Sequence, residues 1–222
     1  SLNSNPFFLP ERINKELLSK LDKTKKICTI YRRNKPHFKK DSIGYLRNAP
    51  VKIYLDIINF LSDHSYQVLI YGDWSNEDLH YIQTKYKIIN YRTLKIEKKL
   101  FDIFAATNCD LAIGSEGGGQ CLYHYCKNKI HINHYPYGSF PFPHIDELKK
   151  EKLNEDKKKK IVKNFLKKNI LYKKVFFKNN KLSNEECFDK LWGKFYLSND
   201  FQIIDNTSDE VINFISEHIK KN

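Results

Sequence analysis

Glycine is scarce in this chain, with 8 in 222 residues; methionine is absent, and cysteine occurs five times, an odd number. Each shortage excludes something. No cysteine pair is spaced C-x-x-C, and Cys121 and Cys126 lie too far apart for a zinc knuckle, so we expect reduced structural thiols rather than a zinc module or a disulfide framework. No apolar run approaches the roughly 20 residues that a membrane span needs. The opening stretch SLNSNPFFLPERINKELL lacks the unbroken apolar core of a signal peptide. The missing initiator methionine leads us to expect a processed chain, or one whose upstream portion is absent. There is also no G-x-G-x-x-G, no Walker A Gly-Lys-Ser/Thr, no G-x-S-x-G elbow and no D-x-D pair. These absences argue against a standard dinucleotide fingerprint, a P-loop, a serine hydrolase and a metal-held diphosphate.

What is present is a folded composition with a strong positive bias. Hydrophobic residues make up 41% and aromatics 14%, enough for one substantial core. The formal net charge of +13 favours anionic partners: nucleotide phosphates, acidic headgroups, acidic glycans or nucleic acid. Codon bias is the competing explanation, because Lys, Asn and Ile are enriched together.

Short β-branched runs alternate with helical periodicity. KKICTIYRRN, YQVLIYGD, YKIIN, CDLAIGS and KIHINHYPYG read as strands. Between them, Val51, Tyr54, Leu55, Ile58 and Leu61 follow helical spacing after Pro50, and LKIEKKLFDIFAATN and GQCLYHYCKN also read as helices. This alternation predicts an α/β fold, a Rossmann-like three-layer domain with a mainly parallel sheet, over residues 25–137. Residues 1–24 are expected to be a lead-in and 138–200 a charged helical insertion, rich in lysine from Asp146 to Lys168. NILYKKVFF reads as an extended piece, and Ser183 with Glu186 as a capping box. Residues 201–222 are expected to return to the core as a strand and a Ser208-capped helix bearing Val211, Ile212, Phe214, Ile215 and Ile219 on one side.

In such a sheet, ligands bind beyond the carboxyl ends of the strands. Gly114-Ser115-Glu116-Gly117-Gly118-Gly119 occupies such an end. Bare backbone there lets N–H groups approach a phosphate in front of a helix N-terminus, with Ser115 and Gln120 as side-chain donors. A tight, closely packed turn is the other use for the same glycines. Arg32 and Arg33 close the first strand, Arg47-Asn48 precedes a helix, and Gly72-Asp73 closes the next strand. A guanidinium fork suits a phosphate. Glu116 or Asp73, facing one another across the cleft, could take a proton from a sugar hydroxyl or hold one. His124, His131 and His134 do not read as a zinc site, because the last two alternate along a strand.

The stretches RNAPVKIYLDIINFLSDHSYQVLIYGD, FDIFAATNCDLAIGSEGGGQCLYHYCKNKIHINHYPYG and FQIIDNTSDEVINFISEHI resemble the C-terminal half of bacterial surface-polysaccharide glycosyltransferases of the GT-B type. The likeness runs through Arg47-Asn48, Gly72, Asp102, the Ser115–Gly119 loop and Asn206-Thr207, over most of residues 25 to 219. TIYRRNKPHFKK is similar to the arginine segment of the α-1,6- and protein O-fucosyltransferases, although Tyr31 stands for His and Asn34-Lys35 for Asp-Lys. The resemblance implies a donor-binding half for a nucleotide-diphosphate sugar, with the arginine role on Arg32 or Arg33. It also implies a glycan or lipid-linked acceptor, a missing N-terminal half or partner subunit, and no bound metal or other cofactor. We expect a cytoplasmic location, at most touching the inner membrane face. A non-catalytic glycan- or partner-binding module is the alternative; a nucleic-acid-binding protein ranks below both, since no recognition motif accompanies the charge.

Overall fold

The computed structural model describes residues 9–35, 37–38, 43–117, 122, 126, 128–134, 170–191 and 198–221. Six strands form one parallel sheet: β1 (Lys26–Arg32), β2 (Tyr66–Gly72), β3 (Ile88–Ile89), β4 (Leu111–Gly114), β5 (Lys129–His134) and β6 (Ile170–Tyr172). Their order, β3-β2-β1-β4-β5-β6, is that of a doubly wound, Rossmann-like sheet. The direction of winding reverses between β1 and β4. Side chains on both faces of β1 and β2 are buried, which is why these strands read as continuous apolar runs rather than alternating ones.

Helices cover both faces. The helix α1 spans Glu11–Ser19, α2 Ile43–Leu46, α3 Val51–Asp63, α4 Asn76–Lys85 and α5 Lys98–Thr107. On one face α3 buries Ile53, Tyr54, Ile57, Ile58 and Leu61, joined by Leu79 and Ile82 of α4. Each such side chain contributes about 1.5–3 kcal/mol by leaving water. On the other face Phe101, Phe104, Ala105 and Ala106 of α5 pack with Leu17 of α1 against Leu69, Tyr71 and Ala112. The stretch ahead of β1 is therefore part of this layer.

The later part of the chain is more than helical. β7 (Lys174–Phe177) pairs antiparallel with β8 (Asn180–Lys181) and β9 (Phe201–Ile204) in a separate sheet, ordered β8-β7-β9. The helix α6 (Asn184–Leu191) closes a small core of Val175, Leu182, Cys187 and Leu191 over that sheet. The run NILYKKVFF thus splits at Lys173 between the two sheets. Of the last two elements, β9 joins the small sheet; α7 (Ser208–Lys221) returns to the main core, placing Val211 and Ile215 with α3. The capping box expected at Ser183 is present: the Glu186 N–H donates to Ser183 Oγ at 3.2 Å, and the Ser183 N–H donates to Glu186 Oε2 at 2.8 Å. The cap of α7 is Thr207 rather than Ser208. The Glu210 N–H donates to Thr207 Oγ1 and the Thr207 N–H to Glu210 Oε2, while Ser208 donates to Asp56 on α3.

Candidate functional site

The reversal of strand order brings the carboxyl ends of β1 and β4 side by side. Strand alternation separates the two arginines at the end of β1. Arg32, 6% exposed, pairs with Asp78 at 2.6 Å and lies over the Trp74 ring at 5.2 Å, so it anchors α4. Burial alone would raise the Asp78 pKa, but hydrogen bonds from Arg32 and Ser75 bring it below its ordinary value. Arg32 is thus turned away from the place expected of it.

Arg33 turns the other way. Its Nη1 donates to Asn48 Oδ1 at 2.7 Å, and its own N–H donates to Ser115 Oγ at 3.2 Å. Beside it, Arg47 Nε lies 2.6 Å from Glu116 Oε1, and the Glu116 side chain is entirely buried. Burial, and after it the Arg47 charge, pulls the Arg33 guanidinium below its ordinary pKa; Glu116 and Asp73 partly oppose this. Two cations are therefore held against their mutual repulsion. A Cβ on Gly117 would run into the Tyr31 hydroxyl and Arg33 Cδ, so this glycine permits a close approach of backbone to arginine.

The remaining expected residues shape the surroundings. Ser115 is fully buried and accepts from the Arg33 N–H, so it supports the loop from inside rather than facing a ligand. Gly72 has φ +97°, and a Cβ there would run into the Arg32 carbonyl and the Tyr31 ring. Asp73 accepts from the Asn34 N–H at 3.3 Å and pairs with Lys35 at 3.0 Å, so Asp73 and Glu116 each face a cation. Asp102 pairs with Lys98 on the surface of α5 at 2.7 Å. Gly118, Gly119, Gln120 and His124 lie outside the described residues, as does the lysine-rich segment up to residue 169. His131 is buried in β5, and among the described residues no three His, Cys, Asp or Glu side chains gather as a metal group.

Sequence reasoning missed Lys173. Its side chain is 4% exposed, and its ammonium pairs with Asp205 at 2.6 Å and donates to the Asn48 carbonyl at 2.6 Å. Burial pulls its pKa down against the pull of Asp205. Next to Asp205, Asn206 donates to the Tyr172 carbonyl and to Asn133 Oδ1 at 2.8 and 3.0 Å. The bare pattern Tyr-Lys-Lys in a lysine-rich chain offered no signal that one lysine points inward.

The E. coli ADP-heptose lps heptosyltransferase II superposes with a TM-score of 0.50 at 10% identity, over 96% of this chain and 53% of that one. In fold, the chain is similar to about half of a heptosyltransferase. The E. coli heptosyltransferase WaaC with ADP-2-deoxy-2-fluoro heptose matches at a TM-score of 0.43 and 11% identity, over 96% of this chain and 52% of that one. A glycosyl transferase family 9 protein from Veillonella parvula matches at 0.42 and 12% identity, over 70% and 51%. The expected likeness to bacterial surface-polysaccharide glycosyltransferases thus holds at the level of fold, and these matches lend nothing to a fucosyltransferase-like subtype. No family model and no curated protein matches the sequence. The chain spans about half the length of the solved structures that it matches. Among the described residues, no helix is long and apolar enough to cross a membrane.

Proposed function

We propose that this chain is the donor-binding half of a glycosyltransferase, taking the diphosphate of a nucleotide sugar at the carboxyl ends of β1 and β4. The observation that carries the reading is the pair Arg33 and Arg47, held together with partly buried charge at the switch point of the sheet. Counting Lys35 and Lys173 against Glu116, Asp73 and Asp205, four cations meet three carboxylates. A diphosphate entering there relieves the repulsion between the guanidinium groups, and Arg forks match its oxygens.

In the transfer, an acceptor hydroxyl attacks the anomeric carbon and the bond from that carbon to the phosphate oxygen breaks. The nucleoside diphosphate leaves with the electron pair, and a carboxylate takes the proton. Arg33, Arg47 and Lys35 offset the charge that develops on the leaving group. Glu116, fully buried, acts by aiming Arg47; Asp73, with its side chain 33% exposed, is the carboxylate better placed to meet a hydroxyl. The acceptor is a glycan or lipid-linked glycan, bound by a second half that this length of chain does not supply. The half-length match also favours a second reading, a glycan- or partner-binding module built on the same half, which predicts no selectivity among nucleotides.

A thermal-shift panel of ADP-, UDP-, GDP-, CMP- and dTDP-linked sugars separates the two readings. A ligand that binds only the folded state raises the melting temperature. We expect a shift with one nucleotide class, lost in Gly117→Val; no shift with any nucleotide contradicts the donor reading.

A further inference from the structure

Any part that Lys173 plays in binding rests on the donor-site reading above. Burying an ammonium costs several kcal/mol unless partners compensate, so a lysine kept at 5% exposure is held there by something specific. Lys173 sits at the single residue between β6 of the large sheet and β7 of the small one. Its Nζ reaches two ways: to Asp205 at the end of β9, and to the main-chain carbonyl of Asn48 ahead of α3. The Asn48 side-chain oxygen in turn accepts from Arg33 Nη1 at 2.7 Å and from the Lys35 N–H at 3.0 Å. Asp205, Lys173, Asn48 and Arg33 thus form one unbroken polar chain from the small sheet into the anion site.

We propose that Lys173 is a positioning residue for that site: by fixing the Asn48 backbone it aims Arg33, and Asp205 holds it in place. The small sheet then has a part in ligand binding without touching the ligand. Without Lys173, the Asn48 carbonyl loses its charged donor and Asp205 its cation, and the loop carrying Asn48 is free to shift. A lysine that served stability alone would act on binding, if at all, independently of Arg33.

A double-mutant cycle distinguishes these roles. Titrating inorganic pyrophosphate into wild type, Lys173→Met, Arg33→Ala and the double variant, we expect Lys173→Met to weaken binding about tenfold, the scale of one charge-assisted hydrogen bond. The double variant is expected to bind no worse than Arg33→Ala, because the arginine to be aimed has gone. Additive losses, or unchanged affinity in folded Lys173→Met, overturn the proposal. Should Lys173→Met not fold, Asp205→Asn takes its place in the cycle, with a smaller loss and the same non-additivity expected. A ligand-free readout separates this proposal from the donor reading itself. The Arg33 Nε–H resonance, assigned by its disappearance in Arg33→Ala, is expected to move in the Lys173 or Asp205 variant. If it stays in place, Lys173 does not position Arg33, whatever the site binds; if wild type binds neither pyrophosphate nor any nucleotide sugar while the resonance moves, the donor reading alone fails.

Discussion

At the residue scale, neighbouring side chains of one type have different work. Arg32 and Arg33 are adjacent, yet one anchors a helix and the other faces the switch point. Arg32 is enclosed while the Asp78 side chain is 22% exposed, so Asp78→Asn, which leaves Arg32 without its counter-charge, should cost about 2 kcal/mol at neutral pH. The Asp78 carboxyl has a folded-state pKa below its ordinary 3.8; its stabilisation is complete above that value and is lost as pH falls through the lower, folded-state one. The destabilisation by Asp78→Asn, read from urea unfolding, should therefore shrink as the pH drops below 3.8. A constant difference at all pH values would contradict the pairing. Gly72→Ala should destabilise by roughly 1–3 kcal/mol, since the backbone at φ +97° and the Arg32 carbonyl leave no room for a methyl group. Arg33 and Glu116 were legible as polar residues at strand ends, which a parallel sheet directs to one edge, and Arg47-Asn48 as a polar pair ahead of a helix. Which arginine faces the site was not legible, since that depends on where β1 stops. The inward turn of Lys173 depends on the chain passing from one sheet to the other at that residue, which no local pattern announces.

At the element scale, the caps carry the argument. Thr207→Ala should cost about 1 kcal/mol by removing the acceptor for the Glu210 N–H. Ser208→Ala should leave the cap intact and disturb the contact with Asp56 instead. Unfolding of both variants checks this, and equal losses with Ser208→Gly rescuing helix content would restore Ser208 as the cap. β1, α3, β2, α5 and β4 were legible from periodicity and β-branched content. α4 was not, although Ser75 and Asp78 form a capping box there, because its apolar face is reduced to Leu79 and Ile82. The small sheet was hidden for a similar reason: β8 has two residues, and all three strands pair antiparallel across a region whose charge suggested an exposed helix.

At the scale of the whole molecule, a doubly wound sheet carries its polar residues at one reversal, and a small sheet braces that point through Lys173. The fold is similar to about half of a solved heptosyltransferase chain. The surplus of positive charge makes any binding of a diphosphate salt-sensitive, so affinity should fall as ionic strength rises. The most direct test of the central claim is isothermal titration of the nucleotide sugar selected by the thermal panel into wild type and Arg33→Ala at low and high salt. The account predicts one site per chain in wild type, weakened by salt and weakened at least about tenfold by Arg33→Ala with the fold retained. Equal affinity in the two proteins, or no heat of binding in wild type, would contradict it.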